Sequence, residues 1–139
     1  SLAPMPGVVK MLESLDRPKC IASSGPPQKI EHALRVSGLA KFFGSNLFSS
    51  YVVGSWKPEP GLFLHAAQSM GFAPNSCLVI EDSIVGVRAA DAAGMAALQY
   101  TPHSSENSGE APMAFKDMSQ LPELIQGLEK ENAKSDTVS

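Results

Sequence analysis

The sequence predicts an α/β domain in which a parallel sheet is flanked by helices, and two observations carry the prediction. Apolar residues recur alternately at strand period and at helix period along the 139 residues. The run Cys77-Leu78-Val79-Ile80 is unbroken, the pattern of a strand buried on both faces, as parallel sheets require. With 43% hydrophobic residues the chain can build the core of one domain, whose usual size is roughly 100–200 residues.

The elements follow in order. Pro6-Gly7 opens a helix over Val8 to Leu15, with Val8, Met11, Leu12 and Leu15 on one face. Lys19 to Ser23 reads as a strand, broken by Ser24-Gly25-Pro26-Pro27. Pro27 suits a first helical position, where a missing N–H costs nothing, so a second helix is expected over Pro27 to Val36, with Ile30, Ala33 and Leu34 inward and Gly38 as the stop. Phe48 to Val53 is expected to be a short strand ahead of the loop Gly54 to Glu59. From Pro60 the stripe Leu62, Phe63, Ala66, Ala67 and Met70 predicts a helix ended by Gly71. After the Cys77 to Ile80 strand come Glu81-Asp82-Ser83, with Ser83 as N-cap of a helix running to about Ala93. Gly94 stops that helix, and Ala96 to Tyr100 is expected to be the last strand. Thr101 to Pro112 is polar and reads as a loop, and Leu121, Leu124, Ile125 and Leu128 give a final helix its apolar face. Residues 1–128 thus form the core domain, and the polar tail 129–139 is expected to be frayed or disordered.

Composition removes several functions. With 11 Lys+Arg against 14 Asp+Glu and a net charge of -3, the chain lacks the clustered basic residues that bind a phosphate backbone, so no nucleic-acid partner is expected. No apolar run approaches the ~20 residues of a membrane span, so no membrane partner is expected. Cys20 and Cys77 form no CxxC pair and sit in apolar runs, consistent with buried, reduced thiols. His32 and His65 fall within helices and His103 in a polar loop, with no ligand-spaced neighbour. The expectation is a reduced, cytoplasmic, mildly acidic domain.

Open parallel sheets bind ligands beyond the carboxyl ends of their strands, and three polar features fall there. Ser23 ends one strand before a helix N-terminus, Lys57 lies in the loop after the third element, and Glu81-Asp82 end another strand. Each suits phosphoryl chemistry. Adjacent carboxylates can take Mg²⁺, a hard cation that keeps waters and uses one or two carboxylates plus phosphate oxygens. Ser23 can donate to a phosphoryl oxygen, with the following helix adding a partly positive pole that Pro26 and Pro27 limit. Lys57 would offset the negative charge of phosphate and carboxylates, and Pro58 biases it toward an extended loop. Each residue also has an ordinary structural use: a strand-end serine in a turn, an exposed lysine in solvent, an Asp-Ser pair as a cap. The GxGxxG, GxxxxGK[ST] and GxSxG motifs are missing from the sequence.

Taken in order, Ala22-Ser23-Ser24-Gly25, then Ser55-Trp56-Lys57-Pro58-Glu59-Pro60, then Val79-Ile80-Glu81-Asp82-Ser83 with Gly86, Ala89 and Gly94 downstream, resemble the haloacid dehalogenase superfamily. The similarity runs from about Pro4 to Leu128 and is strongest toward the branch of β-phosphoglucomutase and the small sugar-phosphate phosphatases. It implies a Rossmann-like core acting, with Mg²⁺, on phosphate monoesters of small metabolites such as sugar phosphates. Ser23 would bind phosphate, with Ser24 and Gly25 supplying backbone contacts. Lys57 would be both catalytic and phosphate-binding, steadying the phosphoryl oxygens and the nucleophile. Asp82 would bind the metal and Glu81 would be its partner there.

The resemblance also implies a nucleophile, the first Asp of a D-x-D-x-[TV] motif, which attacks phosphorus to form an aspartyl-phosphate while the second Asp works as acid and base. Of the five aspartates, Asp16, Asp82, Asp91, Asp117 and Asp136, no two are separated by a single residue. The helical cap domain that usually follows that motif is also missing. The family's strand order places the motif's strand centrally, between the strands ending in Ser23 and Asp82, and each buried backbone group left unpaired costs about 1–3 kcal/mol. The core is therefore expected to be incomplete and inactive alone. Either the two neighbouring strands close up, or self-association or a missing N-terminal segment completes the sheet. Two other readings stay open. A receiver-like phospho-signalling domain would need a phosphoacceptor Asp at another strand end, which no expected strand offers. A degenerate, non-catalytic interaction module would keep the fold as a binding surface.

Overall fold

The computed structural model describes residues 7–102 and 113–138. Helix α1 spans Val8–Ser14, and β1 spans Ile21–Ser23. Helix α2, Pro27–Ser37, begins with proline at its first position and ends on Gly38 at φ 77°, a left-handed conformation that glycine adopts without steric cost. A short helix α3, Ala40–Phe43, leads into β2, Leu47–Ser49, and a further turn of helix, α4, Ser50–Val53. Then come α5 (Gly61–Met70), β3 (Leu78–Glu81), α6 (Ile84–Ala92), β4 (Ala96–Tyr100), β5 (Met113–Phe115) and α7 (Leu121–Val138).

The strands are parallel and divide into two sheets. One pairs β1 with β2, and the other has the order β3-β4-β5. Val8, Met11 and Leu12 of α1, Ile30 and Leu34 of α2, and Leu121 of α7 cover one side with Leu98, Tyr100 and Phe115. Phe63 and Ala67 of α5 and Ala89 and Ala90 of α6 cover the other side with Val79. This is the expected α/β architecture, helices on both faces of parallel strands. Both sheets contribute to both apolar layers: Ile21, Leu78 and Ile80 pack against the first, and Ala22 against the second. Among the described residues no helix is long and apolar enough to cross a membrane.

Four expectations are corrected. Phe48 to Val53 is not one strand: Ser49 accepts the Tyr51 N–H at 3.1 Å and starts α4, which Gly54 ends at φ 80°. The β-branched and aromatic residues there satisfy strand propensity, but a cap and a left-handed glycine only five positions apart close a helical turn. Ala96–Tyr100 is not the last strand, because Met113–Phe115 adds to its edge in register Leu98↔Met113. The final helix does not stop near Leu128: its backbone stays helical through Val138, where Glu, Lys and Ala are good helix formers and neither Gly nor Pro intervenes. Lastly, of the alternatives given for completing the sheet, closing up is not what is found: the strands ending in Ser23 and Glu81 belong to separate sheets. The loop expected over Thr101 to Pro112 falls mostly outside the described residues.

Candidate active site

The carboxyl ends of β1 and β3, with the loop after α4, hold the predicted polar residues. Ser23 terminates β1, and its Oγ accepts the Gly25 N–H at 3.1 Å. That local turn leaves the hydroxyl proton available to donate outward. Ser24 beside it is exposed. The helix that follows offers few donors. Pro26 and Pro27 have no N–H, and the Lys29 and Ile30 N–H groups already bond the Pro26 carbonyl at 3.0 and 3.2 Å. Charge at this end therefore comes from side chains more than from α2.

Lys57 supplies it. Its ammonium donates to the Ala22 carbonyl of β1 at 3.2 Å and to Glu81 Oε1 of β3 at 2.5 Å. It also lies 5.2 Å from the centre of the Phe63 ring, within the range of a cation–π contact. The Lys57 and Glu81 side chains are only 11% and 9% exposed. One ammonium thus spans the seam between the two sheets, one residue from Ser23. The Lys57–Pro58 peptide bond is cis.

Glu81 is held from its other side as well. Ser83 donates its hydroxyl to Glu81 Oε2 at 3.2 Å, while Ser83 Oγ itself accepts the Gly86 N–H at 3.1 Å as the N-cap of α6. A side chain at Gly86 would overlap the Glu81 carboxyl group. The third position of α6, where a capping-box Glu would otherwise reach back to the helix end, is empty so that a carboxylate arriving from the preceding strand can occupy the space. Asp82, the next residue, is exposed.

Sequence reasoning placed Lys57, Ser23 and Glu81 at one sheet edge, and the structure brings Lys57 directly onto Glu81 and onto the strand that carries Ser23. It does not bring Glu81 and Asp82 together: the first is buried in an ion pair and the second faces solvent. Their hard oxygen donors are nevertheless the right chemistry for Mg²⁺, which needs only one or two carboxylates when phosphate and water complete its shell. The described residues contain no group of three His, Cys, Asp or Glu side chains that could hold a metal ion by themselves. A cation held by Asp82 and Glu81 would therefore depend on phosphate and water for the rest of its shell. Ser49, which sequence reasoning missed, is 4% exposed and donates to the Gly25 carbonyl at 2.6 Å. Its only local signal was a serine preceding the turn Ser50-Tyr51-Val52-Val53.

The family model described as haloacid dehalogenase-like hydrolase matches residues 1–94. A 6-phosphogluconate phosphatase of Escherichia coli is 32% identical over 120 residues, covering 85% of this chain and 54% of that protein. A fructose-1-phosphate phosphatase of the same organism is 35% identical over 100 residues, covering 70% and 52% respectively. Among solved structures, a haloacid dehalogenase-like protein of Agrobacterium tumefaciens superimposes with a TM-score of 0.85 at 29% identity, over 91% of this chain and 62% of that one. The chain spans about half the length of the curated relatives it matches. A family match over residues 1–94, joined to a shared fold and to relatives of phosphatase activity, places this chain in the haloacid dehalogenase-like hydrolase family.

Proposed function

We propose that these residues form the C-terminal core part of a Mg²⁺-dependent phosphatase or phosphomutase acting on small phosphorylated carbohydrates. The observation that carries the reading is Lys57, a nearly buried ammonium held between the Ala22 carbonyl and the Glu81 carboxylate, one residue from the Ser23 hydroxyl. A cation placed there offsets the charge of a phosphoryl group as it transfers. Ser23, its lone pair engaged by the Gly25 N–H, directs its proton to a phosphoryl oxygen, with Ser24 and Gly25 lining the same loop. Asp82, with Glu81, would hold Mg²⁺, which supplies Lewis-acid stabilisation of the phosphoryl oxygens. The substrate class rests on the two Escherichia coli relatives, whose named substrates are a phosphorylated sugar acid and a phosphorylated sugar.

The nucleophile of this reading is an aspartate on a strand lying between β1 and β3, outside the sequence given. The seam between the two sheets is where that strand would pair. The test is hydrolysis of an aryl phosphate with Mg²⁺ by this polypeptide and by a longer protein containing it. The short chain is expected to be inactive, and the longer protein active and silenced by Lys57→Met or Asp82→Asn. Turnover by the short chain that Asp82→Ala abolishes would overturn the assignment of the nucleophile. A longer protein indifferent to Lys57 would overturn the site.

A further inference from the structure

We propose that Ser49 is a positioning residue of the phosphate loop, a role that rests on the reading of Ser23 to Gly25 as the phosphate-binding segment. β1 and β2 are parallel with Ser23 and Ser49 directly opposite in register, so the two serines leave the sheet side by side. Their hydroxyls do different work. Ser23 Oγ accepts the Gly25 N–H at 3.1 Å, and Ser49 Oγ donates to the Gly25 carbonyl at 2.6 Å. Gly25 is therefore gripped through both of its backbone polar groups, one by each strand end.

The sequence explains why the second grip is needed. The peptide after Gly25 belongs to Pro26, which has no N–H, so this peptide plane can be anchored only through its carbonyl oxygen. Ser49 is buried at 4% exposure and is itself fixed, because its Oγ accepts the Tyr51 N–H at 3.1 Å and so cannot swing away without uncapping α4. The hydroxyl proton is committed to Gly25 and one lone pair to Tyr51, and the two bonds together hold the group in this orientation. Through Gly25 this orientation sets the turn that holds Ser23 Oγ as an acceptor and points its proton outward. Ser49 touches no phosphate in this account; it acts through Gly25.

The experiment is amide-resolved NMR on the full 139-residue chain, titrated with inorganic phosphate in the presence of Mg²⁺, for the wild type, Ser23→Ala, Ser49→Ala and Ser49→Thr. Without phosphate, the Gly25 amide of Ser49→Ala should exchange with solvent faster than in wild type while the amides of β3 and β4 stay unchanged, and Ser49→Thr, which keeps the hydroxyl, should restore protection. With phosphate, Ser49→Ala should bind roughly three- to tenfold more weakly, the scale of one lost hydrogen bond, and Ser49→Thr should bind as wild type does. Equal Gly25 exchange and equal phosphate affinity in Ser49→Ala and wild type would overturn the proposal. So would equal loss in Ser49→Ala and Ser49→Thr, since bulk rather than the hydroxyl would then matter. Failure of a different kind is also readable. If phosphate leaves the wild-type Ser24 and Gly25 amides unmoved, or binds Ser23→Ala unchanged, the phosphate-loop reading falls and takes the role of Ser49 toward phosphate with it, even where the exchange data show Ser49 gripping the loop.

Discussion

Replacing Gly86 by alanine should destabilise this domain, against the usual direction for glycine in a helix. Alanine is favoured over glycine by about 1 kcal/mol in a helix interior, and Gly86 lies inside α6 with φ outside the left-handed region. The added Cβ, however, falls on the Glu81 carboxyl group. Glu81 must swing out, leaving the Lys57 ammonium, itself only 11% exposed, without its 2.5 Å partner. Breaking a buried ion pair costs about 3–5 kcal/mol when one partner is lost. Because Glu81 moves rather than disappears and water follows it, the low end of that range applies. Less the helix gain, the net loss is about 2 kcal/mol. With a urea slope of about 2 kcal/mol/M for a domain of this size, the midpoint should fall by about 1 M. Far-UV circular dichroism through a urea titration reads this directly. The same substitution in a Glu81→Ala background should be neutral or stabilising, since nothing remains for the Cβ to displace. A midpoint unchanged or raised by Gly86→Ala alone, or a loss that persists in the Glu81→Ala background, would refute the reasoning.

Two further outcomes are expected. Lys57→Met and Glu81→Gln should each lower the thermal midpoint, and the double variant should lose less than the sum of the two by about 1–3 kcal/mol, the coupling of a shared contact; strict additivity would show that the pair does not interact in solution. Burial pushes both thiols above the ordinary cysteine range, with the Cys77 charge adding to the effect at Cys20. The folded chain then holds these protons longer than the unfolded one, so stability is full at neutral pH and falls as pH rises through the unfolded thiol's value of about 8.5. Iodoacetamide should accordingly label both cysteines more slowly than a free thiol at pH 8, and labelling at the unfolded rate would contradict this.

What the sequence made legible was local. Pro27 at a helix start, Gly38 and Gly71 at helix ends, and Ser83 as a cap are signals that a few neighbouring residues complete, and each is found in place. The unbroken run around Val79 likewise marks a strand covered on both faces. What escaped depends on partners distant in the chain. Met113–Phe115 is a strand because Leu98 to Tyr100 offers an edge to it, and three residues beside a polar stretch carry no period of their own. At Tyr51 and Val52, residues of strong strand propensity stand exposed on a helical turn, because Ser49 is spent on capping and on Gly25. The candidate site divides in the same way. Lys57 and Glu81 were visible as residues, but their ion pair crosses 24 positions, and no spacing rule reaches that far. Glu81 read as a metal partner of Asp82; that its carboxylate also accepts from Lys57 and Ser83 is a contact no neighbouring residue announces.

The division of the strands into two ladders has a consequence for how the domain opens. Among the described residues, strand pairing runs within residues 21–49 and within residues 78–115, and none of these pairings crosses between the two. Cooperative opening units commonly follow such blocks. The loop of Ser23 and Gly25, together with Ser49, belongs to one block, and Glu81, Asp82 and Ser83 belong to the other. In the 139-residue chain the anion side and the cation side of the site can therefore open at different free energies, coupled by the shared apolar layers and the Lys57 ammonium, whereas a strand paired in the seam would join them into one ladder.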